Sequence, residues 1–142
     1  MLPPYYHIGL VVPDIDAAMD HLGRTLGLHW AKLQHTDMGV TIDGERVTRE
    51  ISFVYSTDGP PYLELISESG PPWAPHEGLH HLGFWTDDLP TDLARMLADG
   101  YTMAARGRGF AYLSSPTGTY VELVDTRSRP AFDRWMAGGD YL

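Results

Sequence analysis

His7-Ile8-Gly9-Leu10 and His81-Leu82-Gly83-Phe84 are one short pattern written twice. Each is followed downstream by a second repeated stretch, Tyr62-Leu63-Glu64-Leu65-Ile66 and Tyr120-Val121-Glu122-Leu123-Val124. All four stretches are short, apolar or alternating, and rich in β-formers, as strands of a buried sheet are. One histidine and one glutamate in matching contexts in each half predict a duplicated module. Its two copies would face each other and bring two imidazoles and two carboxylates to one place.

The intervening sequence fits that repeat. A strand over residues 5–12 ends at Pro13-Asp14, where Asp14 or Asp16 can cap a helix carrying Ile15, Met19, Leu22 and Leu26 at helical spacing up to Gly27. Strands near 29–42 and over 45–56 flank Asp43-Gly44, a dipeptide suited to a tight hairpin. Gly59-Pro60-Pro61 then turns the chain into a strand over 62–67. After a Pro- and Gly-rich stretch the order recurs: a strand over 78–86, a helix begun by Pro90 with Leu89, Leu93, Met96 and Leu97 on one face, a stop at Gly100, then strands near 101, over 110–114 and over 119–125. The expected organisation is α+β, with a first βαβββ module over 1–68, a linker over 69–77, a second module over 78–126 and a C-terminal tail over 127–142. The first copy is longer, mostly in its central hairpin. In the tail, Pro130 suits a first helical turn, and Phe132, Trp135 and Met136 share a face, so a short helix packed on the body or on another subunit is expected.

Side chains in a strand alternate between faces. Ile8, Leu10 and Val12 should lie under the first helix, leaving His7, Gly9 and Val11 on a concave side. The same parity directs His81, Gly83 and Trp85, Glu64 with Tyr62 and Ile66, and Glu122 with Tyr120 and Val124 into that cup. In the third strand Ile51 and Phe53 are assigned to the helix side, which would turn Thr48, Glu50, Ser52 and Val54 inward. His80, next to His81, is expected on the opposite face as a hydrogen-bonded structural residue. His21, His29, His35 and His76 are expected on the surface.

Two imidazoles and two carboxylates suit a divalent ion such as Zn, Ni, Co, Mn or Fe, with coordination positions left for water or substrate. Calcium would prefer more oxygen ligands. With no cysteine in the chain, a metal site must use N and O donors, and disulfides and a thiol nucleophile are excluded. Two carboxylates in otherwise apolar strands are costly to bury unless something neutralises them.

The 142 residues are enough for a real core, and 43% hydrophobic with 20% charged residues is ordinary for a folded protein. A net charge of -9 repels polyanions, so neither nucleic acid nor an anionic membrane is expected as partner. No apolar run approaches the ~20 residues of a membrane span. The amino terminus has no basic segment followed by an apolar one, and a cytoplasmic location is expected.

These residues, with Gly78-Leu-His-His-Leu-Gly-Phe84, Asp87-Asp88-Leu89 and Ser115-Pro-Thr-Gly-Thr-Tyr-Val-Glu122, resemble the vicinal oxygen chelate superfamily over nearly all of 5–125. That superfamily includes glyoxalase I, methylmalonyl-CoA epimerase, extradiol dioxygenases, and fosfomycin and bleomycin resistance proteins. The resemblance implies paired βαβββ modules forming a half-open mixed β-barrel around a metal. It places His7, Glu64, His81 and Glu122 at the ligand positions of the glyoxalase and epimerase branches. Dioxygenases resemble a three-ligand pattern and bleomycin-binding members generally lack the ligands, so the full set favours metal-assisted proton transfer through an enolate, that is, a lyase or isomerase acting on a small molecule. The alternatives are a ligand- or drug-binding module and an iron-dependent dioxygenase. The base position of the epimerases falls near Thr48, which cannot serve. Glu50, two residues on, is the first candidate base and Glu122 the second. Arg106 and Arg108, in an expected loop, are candidates for an anionic substrate group. Trp85, Tyr62, Tyr120 and Tyr112 are candidates for the aromatic walls. No residues specify glutathione or coenzyme A. A homodimer is expected.

Overall fold

Two aspartates at matching places turn strand into helix. The Asp14 carboxylate accepts the Ala17 N–H (3.0 Å) and that of Asp88 accepts the Thr91 N–H (3.2 Å), each satisfying a first-turn donor. The computed structural model describes residues 1–141. Its first half runs β1 (His7–Val12), α1 (Ile15–Leu26), β2 (Gln34–Ile42), β3 (Glu45–Tyr55) and β4 (Tyr62–Ser67). Its second runs β5 (Leu79–Thr86), α2 (Leu89–Ala98), β6 (Thr102–Gly107), β7 (Phe110–Ser114) and β8 (Tyr120–Asp125), followed by a 3-10 turn at Thr126–Ser128 and α3 (Arg129–Met136). α1 stops at Gly27, whose φ of 71° is left-handed. The β2–β3 hairpin turns on Asp43 and Gly44, both at positive φ, the geometry of a type I′ turn.

The strands close into a mixed barrel in the order β1-β4-β3-β2-β6-β7-β8-β5, which reads the same under exchange of the halves. β1–β4 and β5–β8 are parallel and the other pairings antiparallel. The expected opening in the wall is bridged by one residue pair, Thr41 with Arg106, between β2 and β6. Arg106 therefore lies in a strand, exposed, instead of in the loop expected for it.

α1 covers the outer face of the first half, where Ile15, Val54 and Leu65 pack with Leu10, Val12, Met19 and Leu22. α2 does the same for the second half through Leu89, Leu93 and Met96 against Ala111, Leu113, Val121 and Leu123. The barrel interior holds Val11, Val40, Ile51, Ile66, Ala105 and Tyr112.

One strand is in the opposite phase to the sequence reading. Tyr55 pairs with Glu64 and Val54 with Leu65, so Ile51, Phe53 and Tyr55 face the cup while Val54 packs beneath α1. Thr48 and Glu50 are consequently exposed on the outside. A shift of one residue moves every side chain of a strand to the other face. The cup has apolar walls of its own, so Ile51 and Phe53 need no helix to bury them.

Two segments outside the repeat also reach the interior. Trp73, in the stretch between the halves, is 2% exposed and donates its indole N–H to the Tyr112 hydroxyl (3.1 Å). From α3, Phe132 and Trp135 pack against Tyr6, Tyr55 and Trp85, and the Trp135 indole N–H reaches the Lys32 carbonyl (2.9 Å). The tail helix thus packs on the body of its own chain. Among the described residues, no helix is long and apolar enough to cross a membrane.

Candidate metal centre

The register of the central strands explains the repeated His-x-Gly pattern. Antiparallel pairing sets His7 opposite Gly83 and Gly9 opposite His81. Parallel pairing sets Glu64 beside Gly9 and Glu122 beside Gly83. Two rungs cross the floor of the cup: Tyr62–His7–Gly83–Glu122 and Glu64–Gly9–His81–Tyr120. A Cβ on Gly83 would stand inside the ring of His7, and one on Gly9 inside the ring of His81. Each module's glycine is the space in which the other module's histidine lies.

The four side chains converge. His7 Nε2 lies 3.0 Å from His81 Nε2 and 3.1 Å from Glu122 Oε1, and His81 Nε2 lies 3.0 Å from Glu64 Oε1. The cross distances, His7 to Glu64 and His81 to Glu122, are both 3.4 Å. Ligands at about 2.0–2.2 Å from one ion, the usual length for imidazole and carboxylate donors, stand about this far apart.

Electrostatics points the same way. Burial pulls His7 down to about 4 and His81 to about 3, only partly opposed by Glu64 and Glu122 respectively. Both rings are therefore neutral, the form that ligates metals. Burial pushes both glutamates above the ordinary carboxylate value, against the counter-pull of His7 on Glu64 and His81 on Glu122. Among the described residues, Glu64 and Glu122 form ion pairs with these two histidines and with no lysine or arginine, so both carboxylates ionised together would lack a full positive charge beside them. This donor set fits a divalent cation, which all four residues could hold.

Around this floor is a cavity of about 750 Å³ with largely aromatic walls. Trp85 lines it, stacked on Tyr6 with ring centres 4.1 Å apart, and Tyr112 lines it opposite. Tyr62 and Tyr120 stand behind the lining, Tyr62 edge-on to Phe132 (5.4 Å) and Tyr120 beside His80 (5.0 Å). Arg108 reaches the cavity rim and Arg106 does not. Glu50 is on the outer face and is not brought to the floor, so its expected approach to a bound substrate is corrected by the phase of β3.

The sequence reading missed Tyr6, Phe53, Tyr55, Trp73, Phe132 and Tyr141, all of which line the cavity. Tyr55 could have been found by pairing strands back from Glu64 across the Gly59-Pro60-Pro61 turn. Trp73 lies in a non-repeated segment and left no local signal, and the apolar helix face read for Phe132 did not show that it would reach the cavity. Arg127 was missed as well, and Asp125 holds its guanidinium at 2.7 Å. His80 is buried and hydrogen-bonded as expected, but it is not on the opposite face. The β1–β5 register slips between Gly9 and Leu10, a bulge that turns His80 inward beside His81.

Comparison with known proteins adds a family. The model of the Glyoxalase/Bleomycin resistance protein/Dioxygenase superfamily matches residues 6–128. Among solved structures, a hypothetical protein from Bacillus halodurans C-125 is similar with TM-score 0.62 and 18% identity over 85% of this chain and 92% of its own. A variant of methylmalonyl-CoA epimerase from Streptomyces coelicolor, in complex with 2-nitronate-propionyl-CoA, gives 0.60 and 21% over 88% and 95%. The methylmalonyl-CoA epimerase from Mycobacterium tuberculosis gives 0.57 and 17% over 87% and 88%. At such identities the likeness is one of fold. No curated protein matches the sequence.

Proposed function

Because this chain belongs to the glyoxalase/bleomycin resistance protein/dioxygenase superfamily, the vicinal oxygen chelates, we propose that it is a metal-dependent lyase or isomerase of glyoxalase or epimerase type. The observation that carries this reading is the convergence of His7, Glu64, His81 and Glu122 within 4.8 Å of one another at the floor of an aromatic cavity. A divalent cation there would polarise a substrate carbonyl and stabilise the enolate left when the adjacent C–H loses its proton. The walls provided by Trp85, Tyr6 and Tyr112 would hold an apolar substrate body and exclude water, and Arg108 at the rim suits an anionic group on it.

The base must come from the chain. With Glu50 on the outer face, Glu122 takes that role in our reading: it is the second candidate from the sequence, and it lines the cavity where a substrate would sit. Compared at equal metal content, Glu122→Gln should keep the side-chain shape while slowing solvent-deuterium exchange into substrate by about 10²- to 10⁴-fold, the usual contribution of one positioned base. Glu50→Gln should exchange at the wild-type rate. Loss of exchange in Glu50→Gln at full metal content, with Glu122→Gln active, would reverse the assignment. The aromatic lining also supports a second reading, a module that sequesters an apolar ligand. Protein purified without added metal that binds such ligands and carries no ion would favour it.

A further inference from the structure

We infer that His80 is a positioning residue: it fixes the ring of His81, and the place of that ring's proton, so that His81 presents a bare Nε2 to the metal. The inference rests on the metal-centre reading above and adds a residue to it that the ligand set does not include.

His80 Nε2 lies 2.8 Å from the Pro72 carbonyl oxygen, and His80 Nδ1 lies 2.8 Å from His81 Nδ1. A carbonyl only accepts hydrogen bonds, so the hydrogen of neutral His80 is on Nε2. Its Nδ1 is then the acceptor, and the hydrogen between the two rings belongs to His81 Nδ1. The lone pair left on His81 Nε2 faces His7 Nε2 and Glu64 Oε1, each 3.0 Å away. A chain of two hydrogen bonds thus transmits the polarity of one backbone carbonyl to the ligand atom. Ligating histidines depend on such a partner at the second ring nitrogen to set both orientation and tautomer.

Two further observations single out His80. The bulge in β5 is what brings it to the side of His81, and without that register slip adjacent strand residues would point apart. The arrangement also breaks the symmetry of the repeat. The position before His7 is Tyr6, and among the described residues His7 Nδ1 has only the Tyr55 hydroxyl, at a longer 3.3 Å. Pro72, the anchor, lies in the segment between the modules and has no counterpart in the repeat. Both histidines of the pair are buried, His80 at 1% and His81 at 0% exposure, so water does not substitute for either bond.

Long-range proton–nitrogen correlation of the metal-free wild type tests the assignment directly, without relying on catalysis. His81 should carry its hydrogen on Nδ1 and His80 on Nε2, and a hydrogen on His81 Nε2 would overturn the inference. Zinc titration against a chromophoric chelator supplies the second readout. His80→Phe keeps a ring but no acceptor, and should weaken zinc binding about 10- to 100-fold, the usual cost of losing such a partner. It should still take the wild-type amount of zinc at saturation, since the four ligands are untouched. His80→Asn restores an acceptor at the Nδ1 position and should recover most of the affinity. Equal affinity in wild type and His80→Phe would sink the role. If the wild type itself bound no zinc, the metal-centre reading would fall, and the tautomer measurement would still decide the place of the proton.

Discussion

Gly83 has no side chain because the ring of His7 fills the place where one would stand, and Gly9 stands in the same relation to His81. Gly83→Ala should therefore displace the His7 ring as well as crowd the floor. Overpacking a tight site costs about 1–3 kcal/mol. The melting temperature and the metal content should both fall, and a variant that melts and loads like the wild type would disprove the cradle. These residues were legible in the sequence because each histidine and the space for the other module's histidine lie within three positions and the pattern occurs twice. Glu50 was not. Its face depended on whether Ile51 and Phe53 were buried by a helix or by the cup, and an apolar residue records burial without recording what buries it. His80 was misplaced for another reason, since a bulge depends on the partner strand's register.

Most of the β-strands and the two outer helices were foreseen within a few residues because their signals are local: Asp14 as a candidate cap, Pro90 as a helix start, Gly27 as a stop, Asp43-Gly44 as a hairpin turn. β2, expected from about 29, starts only at Gln34. The docking of α3 was left open between body and partner. Its apolar face was visible, but the surface that receives it is assembled from Tyr6, Tyr55 and Trp85, far apart in sequence. Trp135 is the keystone of that contact, wholly buried with its N–H bonded to the Lys32 carbonyl. Trp135→Ala should lower unfolding stability by about 3–5 kcal/mol in denaturant titration. A loss under ~1 kcal/mol, small against the cost of an ordinary core truncation, would mean the helix is dispensable.

The protein as a whole should respond to pH in a way that depends on whether a cation is bound among His7, Glu64, His81 and Glu122. In the metal-free state the raised folded pKa of Glu64 and Glu122 makes their contribution fully present below the ordinary 4.5 and lost as pH rises through the folded values. His7 and His81, lowered from 6.5 to about 4 and about 3, act in the opposite sense: their contribution is present above 6.5 and lost as pH falls through the folded values. Metal-free protein should be most stable between those limits and should weaken toward alkaline pH. A cation bound there would stabilise the carboxylates and should remove the alkaline loss. Denaturant midpoints from about pH 5 to about pH 9, with and without chelator, would reveal it. Identical profiles would mean the cation does not meet these carboxylates.

The convergence of His7 with Glu122 has a topological consequence. The two residues are 115 positions apart, so an ion held between them ties the two ends of the barrel into one large loop. In a chain without cysteine, that ion would be a reversible covalent-like staple, doing for the unfolded ensemble what a long-range disulfide does elsewhere. By chain-entropy reasoning a loop of that size is worth about 4–5 kcal/mol. Metal supply would then govern how long the folded chain persists as well as whether its cup can react.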